Sequence, residues 1–129
     1  MWIFTTNSML SIVQHQNKPA KLLVRARFPG DIEEMFPRAR VRETPGHDYR
    51  FRATVTRKAV ATALANAAMR IDYGNFKQTL DDPDRHTAYF AVWAAMKKAQ
   101  DAIQLPVDEE PDIMGFDRID FDEPDKEEP

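Results

Sequence analysis

A chain of 129 residues, 43% hydrophobic and 30% charged, has the length and composition of one ordinary globular domain. Cysteine is absent, which excludes disulfides, thiolate metal ligands and a cysteine nucleophile, and which fits a reducing cytosol. No apolar stretch is long enough to span a membrane, and the start lacks the features of a signal peptide. These features predict a soluble, cytoplasmic protein that does not associate with membranes.

Charge is distributed unevenly along the chain. Residues 1–104 carry 16 Lys and Arg against 10 Asp and Glu, whereas residues 105–129 carry 2 against 11. The net charge of −3 therefore combines a basic body of +6 with an acidic tail of −9. Such asymmetry indicates an interacting protein. The acidic tail, residues 105–129, is also rich in proline, and we expect it to be disordered.

Alternating apolar and polar residues in the first half predict β-strands. They lie at residues 1–7, 9–15, 21–28, 38–43 and 49–56. The pair Asn7-Ser8 separates the first two strands as a hairpin turn, and Pro45-Gly46 supplies the turn before the last strand. Alternation places the apolar parity, which includes Tyr49, toward the core.

Capping residues predict where the helices begin. Asp31 is expected to cap a short helix, with Glu34 completing a capping box. Thr56 is expected to cap a longer helix that ends near Gly74, the expected C-terminal cap. Further starts are expected at Asn75, for a short helical turn, and at Asp82, where Pro83 follows and the helix runs to about Gln104.

The helices also carry apolar stripes. In the helix after Thr56 the stripe comprises Val60, Leu64, Ala67, Ala68 and Ile71. In the last helix the expected buried side comprises Tyr89, Val92, Trp93, Met96 and Ile103. The order β-β-β-α-β-β-α-α predicts an α+β fold, with an antiparallel sheet of about five strands and helices packed on one face. We expect residues 1–104 to form one domain.

Several segments resemble a family of small uncharacterised proteins from bacteria and their phages. They are "MWIFTTNSMLSIVQH" at the start, "DYRFRATV" in the middle, and "IDYGNFK" followed by "HTAYFAVWAAM". The resemblance covers about residues 1–97 and leaves out the acidic tail. Because no activity is assigned to that family, it implies a compact domain and transfers no catalytic residue.

Residues 71–96 hold the densest set of reactive side chains. His86 follows Asp82 and Asp84, and a His–carboxylate pair can act as a general base. The capping rules already explain these carboxylates, and no phosphate loop, HExxH motif or nucleophile elbow appears. The aromatic residues Tyr73, Phe76, Tyr89 and Trp93 fit a core better than a ligand cage. We therefore expect no enzyme, catalytic residue, metal, cofactor or small-molecule substrate.

Seven arginines fall on the polar parity of three predicted strands and form an arginine face. They are Arg25, Arg27, Arg38, Arg40, Arg42, Arg50 and Arg52. The guanidinium fork suits phosphate and carboxylate, so the face fits an anionic partner. Three interpretations remain open: a solvated surface, a nucleic-acid site, or a site for protein carboxylates, including those of the acidic tail.

The acidic tail alternates acidic with apolar residues. The apolar set is Ile113, Met114, Phe116, Ile119 and Phe121. This pattern is typical of segments that order on a partner, although an unstructured tail with incidental apolar residues is equally compatible. We expect a small non-enzymatic binding or regulatory protein in which the tail masks the arginine face or recruits a protein. The alternative is a nucleic-acid-binding accessory protein.

Overall fold

The computed structural model describes residues 1–103 and residue 106, so the predicted tail disorder and the five apolar tail residues lie outside the described residues. The strands are β1 (Trp2–Phe4), β2 (Met9–Gln14), β3 (Lys21–Ala26), β4 (Arg42–Glu43) and β5 (Phe51–Thr56). The helices are α1 (Asp31–Met35), α2 (Arg57–Met69) and α3 (Pro83–Ala102), with a 3₁₀ turn at Phe76–Thr79. The predicted α+β fold class is confirmed.

By internal contacts the chain divides into two units, Met1–Val92 and Trp93–Pro129. The first unit contains the sheet, α1, α2 and the start of α3. Within residues 1–103, no helix is long and apolar enough to cross a membrane. The expected single domain over residues 1–104 stays a prediction.

All five strands pair antiparallel in the order β1-β2-β3-β5-β4. The first hairpin is closed at Thr5 and Ser8, since the Thr5 amide donates to the Ser8 carbonyl at 2.8 Å and the two hydroxyls lie 2.7 Å apart. Gly46 adopts a φ of 82° in the turn before β5, a left-handed angle that favours glycine. Both turns are present, although the first bends at Thr6 and Asn7, one residue earlier than predicted.

The core lies between one sheet face and the helices α1 and α2. Leu10, Val24 and Ala53 point from neighbouring strands into this layer and are almost fully buried. Ile32 covers them from α1 and Val60 from α2. The inward parity of these strands is confirmed, because alternation along a strand allows only one face to bury its apolar residues.

The start of α1 differs from the prediction. Gly30, with a φ of 88°, occupies the N-cap position, and no side chain caps the helix. The capping-box prediction for Asp31 and Glu34 is therefore wrong. Asp31 is the first helical residue, and its side chain points into the protein, where it accepts a hydrogen bond of 2.9 Å from the Met9 amide.

A buried ion pair joins α1 to the start of α3. Arg85 donates from Nη2 to Oδ1 of Asp31 at 2.7 Å and from Nη1 to Oδ2 at 3.1 Å. Arg85 is 8% exposed and Asp31 is 2% exposed. Arg85 also donates to the Tyr89 hydroxyl at 3.1 Å and lies over the Phe28 ring. The hydrogen bond with Asp31 raises the pKa of Arg85, so the guanidinium stays charged despite its burial.

Helix α2 begins as predicted and ends early. The Thr56 hydroxyl accepts from the Ala59 amide at 3.1 Å, which confirms the N-cap. The helix ends at Met69, with Arg70 as C-cap. The Arg70 amide is shared between the Asn66 and Ala67 carbonyls, and the Ile71 amide donates three residues back to Ala68, which tightens the last turn. The prediction of Gly74 as a cap is wrong, and Ile71 is 57% exposed.

The next two helical starts follow the prediction. Asn75 accepts from the Lys77 amide at 3.1 Å before the 3₁₀ turn, and Asp82 accepts from the Asp84 amide at 3.0 Å before α3. The predicted buried side of α3 is correct only for Tyr89. Val92, Trp93, Met96 and Ile103 are exposed to between 39% and 67%. Periodicity identifies a stripe but does not identify what covers it.

Candidate anion-binding face

Strand pairing aligns five residues in one line across the sheet. Trp2 pairs with Ser11, Ser11 with Arg25, Arg25 with Arg52, and Arg52 with Arg42. Residues directly opposite each other in a sheet project to the same face, here the face away from α1 and α2. Because adjacent strands lie about 4.8 Å apart, the three arginines span about 10 Å of backbone. We call Arg25, Arg52 and Arg42 the arginine row.

Arg25, at the β3 end of the arginine row, is held in place. Arg25 is half-buried, and its Nη2 donates to the buried Ser11 hydroxyl at 2.7 Å. Its Nε is buried without a hydrogen-bond partner among the described residues. An unpaired buried donor is costly, and two like charges directly opposite in a sheet repel. The positive charges of the row therefore repel one another, and an anion bound to the row would reduce that repulsion.

Tyr49 lies beneath two of the guanidinium groups. Its ring is 4.5 Å from the Arg25 guanidinium carbon and 4.1 Å from that of Arg27, both cation–π distances. Its carbonyl accepts from Arg52 Nε at 3.2 Å. Tyr49 is 5% exposed but precedes β5, where strand alternation no longer applies. Its predicted place beside Phe51 in the helix-facing layer is wrong, because the arginines bury it.

The carboxylate of Asp48 already neutralises part of the positive charge on this face. Asp48 Oδ1 and the Asp48 carbonyl accept from Arg27 Nη1 at 2.9 Å and 2.8 Å. The hydrogen bond from Arg27 lowers the pKa of Asp48, with further lowering from the charges of Arg27, Arg25 and Arg52. Asp48 is thus engaged by Arg27, outside the arginine row.

We expect the pKa of Asp48 to fall below its ordinary value of 3.8 and to rise toward it in Arg27→Gln. A depressed carboxyl pKa contributes stability above the unfolded-state pKa, and that contribution disappears as pH falls through the folded-state pKa. NMR titration of the carboxyl carbons measures both values. Equal values of the Asp48 pKa in the two proteins would refute the assigned cause.

The structure places the seven arginines of the predicted arginine face in different environments. Arg42 is exposed, and within residues 1–103 no ion pair or hydrogen bond engages its side chain. Arg50 pairs with Glu43 at 2.6 Å. The predicted strand over residues 38–43 is present only at its end, because only Arg42–Glu43 pairs with β5. Arg38 and Arg40 precede that bridge in the irregular chain after α1, so they lie outside the sheet.

The other residues considered as catalytic or ligand-binding candidates do not come together in one site within the described residues. His86 is exposed, and its backbone amide donates to the Asp82 carbonyl as part of the helix start. No cluster of three His, Cys, Asp or Glu side chains that could hold a metal occurs in the described part of the chain. Phe4 and Phe76 pack on Tyr89 with ring centroids 5.1 and 5.9 Å away, and Tyr73 contacts Phe76. Tyr89 thus joins this aromatic cluster to Arg85, whose Nη1 donates to the Tyr89 hydroxyl.

Comparison with known protein-family models, curated proteins and solved structures returned no match to this chain. The resemblance to small bacterial and phage proteins thus stays a prediction. The sequence signalled the row through strand parity, but it carried no signal for the register that aligns Arg25, Arg52 and Arg42.

Proposed function

We propose that this chain is a non-enzymatic binding protein whose arginine row docks a carboxylate-bearing segment of a partner protein. The alignment of Arg25, Arg52 and Arg42 on one sheet face carries the proposal. Each guanidinium offers a planar set of donors that matches a carboxylate. A docked acidic segment relieves the repulsion within the row, so binding gains energy that isolated surface arginines do not offer.

The neighbourhood of the row favours a protein partner over nucleic acid. Val13 and Leu23 form a cross-strand pair on the same face and are only partly buried, and Trp2 at the end of the line is 67% exposed. Partners that combine acidic with apolar side chains fit such a surface. A single-strand platform stacks successive bases on several aromatic rings, whereas Trp2 is the one strongly exposed ring in this line.

Nucleic acid is the second candidate. Three arginines and an exposed tryptophan on one face are also suited to phosphates and a stacked base. In that case the chain is an accessory protein that binds nucleic acid mainly through its backbone charge.

The acidic tail has a regulatory role in this proposal. Its eleven carboxylates among residues 105–129 can compete with a partner for the arginine row, which masks the face. Its apolar residues, Ile113, Met114, Phe116, Ile119 and Phe121, can instead recruit a second protein. We place both activities in the cytoplasm, in keeping with the absence of cysteine.

The test measures binding of the full chain to a labelled glutamate homopeptide, to duplex DNA and to single-stranded DNA across a salt series. We expect salt-sensitive binding of the glutamate peptide and none of a glutamine homopeptide. Binding of DNA alone, with a log-log salt slope of about −0.9 per phosphate contacted, favours the second candidate. Failure of all three anions to bind contradicts both.

A variant with the five apolar tail residues replaced by serine separates the two roles of the tail. If those residues help the tail to mask the face, the variant binds the glutamate peptide more tightly than the natural chain. If they serve recruitment, affinity for the peptide is unchanged and a co-purifying protein is lost.

A further inference from the structure

The side of the sheet that faces the helices carries an open groove. It has a volume of about 1380 Å³ and runs between α1, α2 and the chain that follows α2. Met35, Leu64 and Ile71 are among its apolar lining residues, and each retains solvent exposure. Ile71 is 57% exposed, the largest uncovered apolar surface in the lining. The groove therefore leaves part of the α2 stripe without a covering element.

Cations at the two ends of α2 line the groove. Lys58 lies in the first turn of α2, and Arg70 is its C-cap residue. The first turn of α2 contains no acidic residue, so no carboxylate there neutralises the partial positive charge of the helix N-terminus. Lys58 and Arg70 are twelve positions apart, so their backbones are separated by about 18 Å along the helix axis. Neither side chain forms an ion pair within residues 1–103.

The charges and the size of the groove restrict the chemical class of ligand that it can bind. A fatty acid carries one anionic head and so cannot pair with cations at both ends of α2. The carboxylates of Glu34 and Asp72 also line the groove and would repel a uniformly charged polyanion such as nucleic acid. The volume exceeds the roughly 300–1,000 Å³ of typical small-molecule pockets. An elongated ligand with an apolar face and separated carboxylates satisfies all three conditions.

We propose that this groove binds an acidic, amphipathic peptide segment of a partner protein. The apolar side chains of the segment pack on Leu64 and Ile71, and its carboxylates meet Lys58 and Arg70. This is the helix-in-groove mode of recognition, in which apolar anchors recur at helical spacing. The groove lies on the sheet side opposite the arginine row, so this site is separate from the one proposed above and can fail independently.

The test uses the full chain and a labelled peptide of about 18 residues, with leucine at helical spacing on one face, two glutamates about twelve residues apart and glutamine elsewhere. Arg42→Gln combined with Arg52→Gln is expected to leave the affinity for this peptide unchanged, because the arginine row is not the site. Its control peptide has the same composition in scrambled order. The variant Ala68→Trp fills the groove at an exposed position, and Ala88→Trp is the matched change on α3. We expect the scrambled order and Ala68→Trp each to weaken binding about tenfold or more, with Ala88→Trp close to the natural chain.

Charge reversal supplies a second readout. Lys58→Glu combined with Arg70→Glu is expected to weaken binding about tenfold, whereas Lys18→Glu combined with Lys98→Glu, the same change in net charge, is not. The proposal is overturned if the scrambled peptide binds equally, if both charge pairs weaken binding equally, or if no binding occurs.

Two further outcomes assign the groove to another occupant and also overturn the proposal. In the first, the natural chain is a dimer and the Ala68→Trp variant is a monomer, which identifies a second copy of the chain as the occupant of the groove. In the second, replacing the five apolar tail residues with serine raises the affinity for the peptide about tenfold, which identifies the chain's own acidic tail as the occupant of the groove.

Discussion

Replacing Arg85 with alanine is expected to lower the free energy of unfolding by about 3–5 kcal/mol, because it leaves a buried carboxylate without its cation. Asp31 is 2% exposed, and within residues 1–103 its side chain would retain only the Met9 amide as a hydrogen-bond donor. A typical domain has a total stability of about 5–15 kcal/mol, so this loss is a large part of it. Urea unfolding followed by tryptophan fluorescence measures the change.

Lys97→Ala is the matched control. Lys97 pairs with Asp101 at 2.6 Å on the exposed surface of α3, and such pairs contribute about 0–1 kcal/mol. A double-mutant cycle with Asp31→Ala isolates the coupling between Arg85 and Asp31. If Arg85→Ala costs no more than Lys97→Ala, the buried ion pair does not stabilise the fold as described.

The second large effect concerns binding. The double variant Arg52→Gln and Arg42→Gln is expected to weaken binding of the glutamate homopeptide about tenfold or more, because it removes two of three aligned donors. Arg25 is left intact, since its bond to Ser11 supports the sheet. The variant also removes a pair of like charges from directly opposite positions, so we expect its stability to stay equal or to rise. Fluorescence anisotropy and urea unfolding measure the two quantities.

Lys18→Gln combined with Arg40→Gln is the control, because it removes the same charge from exposed positions outside both the sheet and the groove. We expect its effect on peptide affinity to stay within about twofold at physiological salt, where distant exposed charges are screened. Equal losses in the two double variants would mean that the peptide responds to net charge, and the arginine row would then not be the site.

Local rules were reliable where neighbouring residues decide the outcome. Thr56, Asn75 and Asp82 each accept from an amide two or three residues ahead, so a short polar side chain at the right place is a sufficient signal. Strand parity around Val24 and Ala53 was equally predictable, because alternation allows only one apolar face. These features needed no knowledge of the tertiary structure.

The same rules failed where a distant partner competes for the residue. Asp31 has the position of a helix cap, yet its carboxylate pairs with Arg85, 54 residues later. Tyr49 continues the apolar parity of β5, yet two arginines of β3 and its following turn cover its ring. No spacing in the sequence connects these residues, because the contacts form only when the sheet and helices assemble.

The α+β class, the order of the elements, the contrast between a basic body and an acidic tail, and the outward parity of Arg25 and Arg52 were all predictable from the order of the amino acids. These features follow from composition, alternation and capping, which act over a few residues. The line that the arginines form depends instead on the assembled sheet. Strand register is fixed by pairing between segments far apart in the chain, and that pairing placed Arg25, Arg52 and Arg42 together and excluded Arg38 and Arg40.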